Sequence, residues 1–307
     1  MLAFISTRAI RSVITLWVVF TLVFFGARLS GDALEFMFPE GLAETVRAEL
    51  ILYYGLDGSN LEQYWKFWRG IFEGNFGISL FEFRPVTEIY AERIGNTLQL
   101  FLLAFVFSIV LGLPLGIISA VKRGSTLATS IMSIAFLGYA TPNFVLAIFL
   151  ILLFSFTLHW LPSSGQETWV HFVMPVFALG FAMMASVLRF TRSAMLEILG
   201  ADYIRTAYAK GLGEKTVIGK HALRNASIPI VSVVGLQVAG FIAAVVVVET
   251  VFAIRGIGEL MVRAAISRDY PVLQFGVIVW AVVVTGVSLL VDLIYGLIDP
   301  RIRVVKE

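Results

Sequence analysis

Arg205 to Asn225 reads RTAYAKGLGEKTVIGKHALRN, a polar, basic stretch set between two long apolar segments. A chain that needed only to turn back into an apolar phase would use about five residues. Here the polar interval runs from Thr191 to Asn225. Ala201–Lys210 is a good helix former, with Asp202 near its start, where an acid favours the helix dipole. Gly211 and Gly213 interrupt it, and Thr216–Arg224 is predicted as a second short helix with Val217, Ile218, His221 and Ala222 on adjoining faces. The result is a helix–glycine–helix elbow carrying apolar knobs among basic residues. Such an elbow fits either a groove on a soluble partner or an anionic lipid surface.

The segments on either side place the elbow next to a membrane. Hydrophobic residues make up 59% of the 307 residues and charged residues 14%, with a mean hydropathy of +0.90. A soluble domain carries roughly 25% charged residues, so this chain belongs in lipid. It has no cysteine, which excludes disulfides and thiolate metal sites. Six apolar stretches are long enough to cross about 30 Å of hydrocarbon, which takes roughly 20 helical residues: Ile10–Ala27, Thr97–Val121, Leu127–Leu158, Val170–Phe190, Ile228–Phe252 and Leu273–Ile298. All six are predicted as helices, because backbone in lipid must satisfy itself within its own segment. The third is too long for one straight crossing, and Thr141-Pro142-Asn143 near its middle predicts a kink or break.

Lysine and arginine set the orientation. One set of flanks holds Arg8, Arg11, Lys122, Arg123, Arg189, Arg192, Arg205, Lys210, Lys215, Lys220, Arg224, Arg301, Arg303 and Lys306, 14 of the 23 basic residues. The segment Arg28–Gly95 instead holds 11 acidic against 6 basic residues. Both termini and the elbow are therefore expected in the cytoplasm, with Arg28–Gly95 outside. Arg8 and Arg11 before an apolar run also resemble a signal peptide, but the exit GARLSGDA has no clear A-x-A site. Within the outer segment, Leu61–Phe72 (LEQYWKFWRGIF) has Tyr64, Trp65, Trp68 and Phe72 at helical spacing. This reads as an amphipathic helix packed on the protein or lying at the membrane surface. A docking face for an external partner is the competing reading. Three divisions follow: 1–95, a first span and outer segment; 96–303, a five-span unit with the loop 191–225; and a tail, 304–307.

Little in the sequence points to chemistry of its own. Gly213…Gly219-Lys220 approaches a P-loop, but its spacing is one residue too long, His221 stands where Ser or Thr is needed, and no strand is predicted before it. His159, His171 and His221 form no metal pattern, and there is no nucleophile elbow. Gly112 and Gly116 form a G-x-x-x-G packing pattern. Glu249 and Asp292 are ionisable groups inside spans, where such groups mark function by default. They leave open a proton-coupled carrier working alone. Gln99, Asn143 and Gln237 are polar candidates for a solute path, each equally readable as a helix-to-helix hydrogen bond.

RTAYAKGLGEKTVIGKHALRNASIP resembles the cytoplasmic loop of binding-protein-dependent ABC importer permeases, in the dipeptide/oligopeptide branch that also takes nickel complexes and glutathione. Arg205-Thr206-Ala207 stands where the broader family has E-A-A. Gly211 matches the family glycine and Leu223 the late leucine, whereas Arg224 occupies the proline position and the nearest proline is Pro229. Gly74–Leu80, Arg84-Pro85-Val86, Gly112–Ser125, His159–Gly165, Arg189–Leu199, Val246–Leu260, Arg268–Gln274 and Val291–Arg303 resemble that branch in the same order. The outer segment departs most, at Ser30-Gly31-Asp32 and Gly58-Ser59-Asn60.

The resemblance implies an all-α multi-span membrane protein with six transmembrane helices and the type I ABC importer permease (MetI-like) fold. It further implies a bacterial inner-membrane location. The implied partners are a second permease subunit, two ATP-binding cassette subunits holding ATP and magnesium, and an external solute-binding protein. No cofactor, metal or nucleic acid is expected on this chain. Arg205, Thr206, Ala207, Lys210, Gly211, Leu212, Val217, His221 and Arg224 are the implied coupling residues. Gln99, Asn143, Gln237 and Glu249 are candidates for the path.

Overall fold

The computed structural model describes residues 2–29, 44–53 and 57–298. Side chains at 2–7, at 291–298 and at some positions between 228 and 242 are outside that description, so the side chain of Asp292 is too. Among the described residues the chain is helical, with one isolated bridge between Ile78 and Pro85. The helices are α1 (Leu2–Leu29), α2 (Glu44–Tyr53), α3 (Asn60–Glu73), α4 (Val86–Val121), α5 (Thr126–Ala140), α6 (Asn143–Leu150), α7 (Val173–Leu199), α8 (Asp202–Ala209), α9 (Glu214–Thr216), α10 (Arg224–Val251), α11 (Ile257–Ser267) and α12 (Tyr270–Ile298). A π-helical segment, Ile151–Thr157, continues α6, and another, Val217–Leu223, joins α9 to α10.

Four described helices are long and apolar enough to cross a membrane: Arg8–Leu29, Val86–Val121, Trp169–Leu199 and Tyr270–Leu290. A fifth candidate is the bent pair Thr126–Ala140 and Asn143–Thr157, whose halves meet at 102°. The apolar stretch at 228–252 falls on α10 but for its last residue. The bend has the expected cause. Thr141 precedes Pro142 and takes the extended conformation (φ −87°, ψ 120°) that a following proline enforces.

The described elements form two compact units, one from Leu98–Ile254 with the end of α12, the other from Leu2–Thr97 with Arg255–Thr285. In the first, α4 and α7 approach through glycine. A Cβ on Gly112 would lie 2.9 Å from the Val187 Cβ, and one on Gly116 would lie 2.6 Å from the Thr191 Cβ and 2.8 Å from the Leu188 carbonyl oxygen. On the opposing helix, a Cβ on Gly180 would lie 2.8 Å from the Phe107 ring. α5 packs on α7 through Ile131, Ala135, Ala185 and Leu188.

The second unit gathers motifs that lie far apart in sequence. Val86, Ile89 and Tyr90 of α4 pack with Ile257, Leu260 and Ala264 of α11 and with Val272 of α12. The Tyr90 hydroxyl donates to the Val272 carbonyl at 2.8 Å, and Arg93 pairs with Glu259 at 3.1 Å. Asn96 donates to the Arg255 carbonyl, while the Thr97 hydroxyl accepts from the Ile257 amide. Buried Asp269 accepts from the Ser79 hydroxyl and from the Leu80 amide.

Burial pushes the Asp269 carboxyl above its ordinary value of 3.8, against the opposing pull of its hydrogen bonds. A folded-state pKa above the unfolded one means that the folded chain holds this proton more tightly. The stabilisation from that proton is complete below the unfolded value and is lost as pH rises through the folded one. Asp269→Asn keeps an acceptor for Leu80 and carries no charge. Relative to this variant, the wild type should lose melting temperature as pH is raised from 3.8 upward, a difference read by paired thermal melts in detergent. Parallel curves for the two proteins would contradict this.

Candidate functional site: the elbow at residues 201–225

The elbow is built from the inside outward. Ala201 is extended, and Asp202 sits in the first turn of α8. Ile204 and Ala207 turn inward, 1% and 6% exposed, into a cluster with Ala120, Ala194, Met195, Val217, Ala222, Ala226 and Ile230. α8 then ends in a Schellman turn. The Gly211 amide donates to the Tyr208 carbonyl at 2.9 Å and the Leu212 amide to the Ala207 carbonyl at 3.3 Å. That turn needs a left-handed residue after the cap, and Gly211 supplies it with φ +76°. Gly213 is extended, and its carbonyl accepts the Thr216 and Val217 amides to start α9.

The second arm differs from the short helix expected over Thr216–Arg224. It begins at Glu214 and does not stop: helical backbone continues through the π segment into α10 as far as Val251. The polar composition up to Ser227 hides this continuity, because the arm stays helical after leaving the apolar phase. The knobs are also placed differently from expectation. Val217 and Ala222 are fully buried and Ile218 packs against the same cluster, since the inner face of this arm lies on the end of α7. The near P-loop, Gly213 to Lys220, is helix after its first residue.

The coupling candidates therefore divide by face. Arg205, Thr206, Lys210, Gly211 and Arg224 are exposed, Leu212 is partly so, and His221 is half-buried. Arg205 lies 3.5 Å from Asp202 with both side chains largely in water, where such a pair adds little stability. Ala207 and Val217 sit in the interior. Sequence reasoning missed Tyr203 and Tyr208, which flank the buried face of α8 at 44% and 46% exposure. Their only signal was aromatic residues in an otherwise polar helix.

Val217→Asp puts a charge into this cluster and is expected to destabilise the chain by about 3 kcal/mol or more, as for an unpaired buried charge. Arg205→Ala, on the water side, should stay within about 0.5 kcal/mol. Thermal melts of the two variants in detergent check the contrast, and equal melting would refute the buried assignment.

The path candidates do different things. Gln99 is exposed on α4, and Asn143 is half-buried at the start of α6, just after the break. Gln237 donates through Nε2 to the Met183 carbonyl at 3.3 Å, a clasp between α10 and α7. Glu249 is wholly buried near the far end of α10. Among the described residues no cluster of His, Cys, Asp and Glu has the make-up of a metal site.

Known proteins share both the sequence and the fold. Residues 112–304 match the family described as binding-protein-dependent transport system inner membrane component. The chain is 39% identical over 308 residues to the glutathione transport system permease protein GsiC of Shigella flexneri serotype 5b (strain 8401), covering 99% of each chain. It is 36% identical over 315 residues to the oligopeptide transport system permease protein AppB of Bacillus subtilis (strain 168), covering 99% of this chain and 100% of the other. It is 38% identical to the dipeptide transport system permease protein DppB of Escherichia coli (strain K12), covering 90% of this chain and 91% of the other. An inward-facing structure of the MetNI methionine ABC transporter, in its CY5 native crystal form, aligns with a TM-score of 0.59 at 18% identity. It covers 69% of this chain and 97% of that one, a likeness of fold alone. With family, length and fold in agreement, the chain belongs to the binding-protein-dependent transport system inner membrane components, the permease subunits of ABC importers.

Proposed function

We propose that this chain is one of two permease subunits of an ATP-driven bacterial importer for peptides, covering dipeptides, oligopeptides and glutathione-like compounds. The observation that carries this reading is the end-to-end similarity to permeases named for glutathione and oligopeptide transport. In this reading both termini lie in the cytoplasm, residues 96–303 form the permease domain, and the partner is a different permease chain. Two ATPase subunits bind ATP and magnesium inside the cell. A solute-binding protein delivers substrate outside.

The elbow would carry force between them. Its exposed side, with Tyr203, Arg205, Thr206, Lys210, Leu212 and Arg224, offers cations and aromatic edges to an acidic, grooved ATPase surface. Ala207 and Val217 hold the elbow to the spans, so displacement of its outer side moves the core beneath it. Transmission of this kind needs an element whose contacts differ between two states. The Gln237 clasp, Asn143 beside the break, Gln99 and buried Glu249 remain the candidates for the path between those states.

The test is uptake of labelled di- and tripeptides into proteoliposomes holding the complex co-purified through this chain. Uptake that requires ATP and survives a protonophore supports the reading. Uptake by the chain alone, without ATP, collapsing with the proton gradient and lost in Glu249→Gln, would replace it with a secondary carrier.

A further inference from the structure

Helix α3 has three separate faces. It starts at a capping box, in which Ser59 accepts from the Glu62 amide and Glu62 accepts from the Ser59 amide, and it ends at Gly74 with φ 73°. One face packs on α1. Phe24 lies 5.2 Å from Tyr64 and 5.3 Å from Phe67 between ring centres, and Phe20 lies 5.8 Å from Trp68. The Thr21 and Tyr64 hydroxyls share a hydrogen bond of 2.7 Å, and Arg28 donates to the Gln63 side chain at 2.8 and 3.0 Å.

A second face is charged. It holds Glu62, Lys66, Arg69 and Glu73, with Lys66 on Asp57 at 2.9 Å and Arg69 on Glu73 at 2.7 Å. Between the packed face and the charged face runs a third. It consists of Leu61, Trp65 and Phe72, exposed by 65%, 70% and 84%.

The register on α1 gives the depth of this third stripe. Gln63 meets Arg28, and Trp68 meets Phe20. So α3 runs back along the last turns of α1 rather than away from it. Phe20 lies seven residues before the end of the apolar stretch at Ala27, which is about 10 Å of helix at 1.5 Å per residue. The neighbouring α1 surface is itself exposed and apolar, at Trp17, Val18 and Leu22, as the flank of a membrane-crossing helix must be. The stripe extends that flank. A helix with aromatic residues beside a span, with ion-paired charges turned away, fits the boundary between headgroups and acyl chains.

We propose that α3 is a lipid anchor, with Leu61, Trp65 and Phe72 set among the phospholipids around α1 and the ion-paired face turned away from the acyl chains. Lipid contact follows from the α1–α3 packing alone. Assignment to the outer leaflet rests on the orientation given under Proposed function.

Because the chain has no cysteine, single sites can be labelled cleanly. Leu61→Cys, Trp65→Cys, Phe72→Cys and Lys66→Cys would each carry a nitroxide in the full chain, in vesicles of phosphatidylethanolamine and phosphatidylglycerol. Power-saturation EPR then compares accessibility to oxygen, which concentrates in lipid, and to a nickel chelate, which stays in water. Labels at 61, 65 and 72 are expected to favour oxygen several-fold over the label at 66. A stripe as open to nickel as position 66 would overturn the proposal, and so would one shielded from both reagents, the sign of a protein occupant.

A second readout leaves the helix unlabelled. Tryptophan emission should be quenched by lipids brominated near the headgroup, and by less in Trp65→Phe. Equal quenching in the two proteins would count against the anchor. Labelling of Lys66→Cys in whole cells by a membrane-impermeant thiol reagent reports the leaflet separately, so failure of the orientation would not be mistaken for failure of lipid contact.

Discussion

Gly116→Leu is expected to cost about 3 kcal/mol, the upper end of the usual range for overpacking a close contact. It should lower the melting temperature in detergent by more than any other glycine substitution in the α4–α7 seam. The reason lies in what the new side chain would meet. A Cβ there falls 2.8 Å from the Leu188 carbonyl oxygen, as well as 2.6 Å from the Thr191 Cβ. A side chain can rotate away, but a backbone carbonyl moves only with its helix, so α4 and α7 must separate. In lipid, helix association depends on this close packing, because apolar side chains gain little by leaving acyl chains for one another. Gly240→Leu is the matched control, since nothing lies within 4 Å of its Cβ position. Equal melting of the two variants would show that the seam does not hold the helices together.

Gly211→Val is expected to reduce ATP-driven uptake about tenfold while leaving membrane insertion intact. No atom lies within 4 Å of a Cβ at Gly211, so internal crowding is not the cause. The cause is the backbone, at φ +76°. Left-handed geometry costs an L-residue roughly 1–2 kcal/mol, and a β-branched one pays at least that. A shift of 1.4 kcal/mol is a factor of ten in the ratio of this elbow shape to its alternatives, and uptake falls by that factor where the ratio limits coupling. Gly211→Asn should keep most of the uptake, because asparagine tolerates this conformation. Uptake assays on the two variants in the reconstituted complex give the contrast. Normal uptake in Gly211→Val would mean that the Schellman turn is dispensable for coupling.

The long apolar helices, the break at Pro142, the G-x-x-x-G seam and the glycine turn were all legible in the sequence, because each depends on residues close together in the chain. Apolar length predicts a span, proline a break, and paired glycines a close approach. The contacts within the second unit were not legible. Ser79 and Asp269 lie 190 residues apart, and neither has a local pattern that names the other. The same holds for α3, whose amphipathic spacing was plain although its partner on α1 was not. At the elbow the sequence misled in one respect. Val217 and Ala222 read as outward knobs because no local pattern shows a surface for the arm to rest on. In the structure its inner face rests on α7, and the exposed aromatics are Tyr203 and Tyr208.

The unbroken helix from Glu214 to Val251 has a mechanical consequence. It is one rod with its foot in the elbow and its head at Glu249, and it has two compliant points near the foot: the wide π turn at Val217–Leu223 and Pro229 within α10. Such points bend more readily than regular helix, while the rod stays stiff along its axis. A push along the axis therefore reaches the head nearly undiminished, whereas a tilt is absorbed in the joint. Under the coupling role proposed above, the rod would work as a mechanical filter, passing the piston component of a motion at the elbow and discarding its sideways sway.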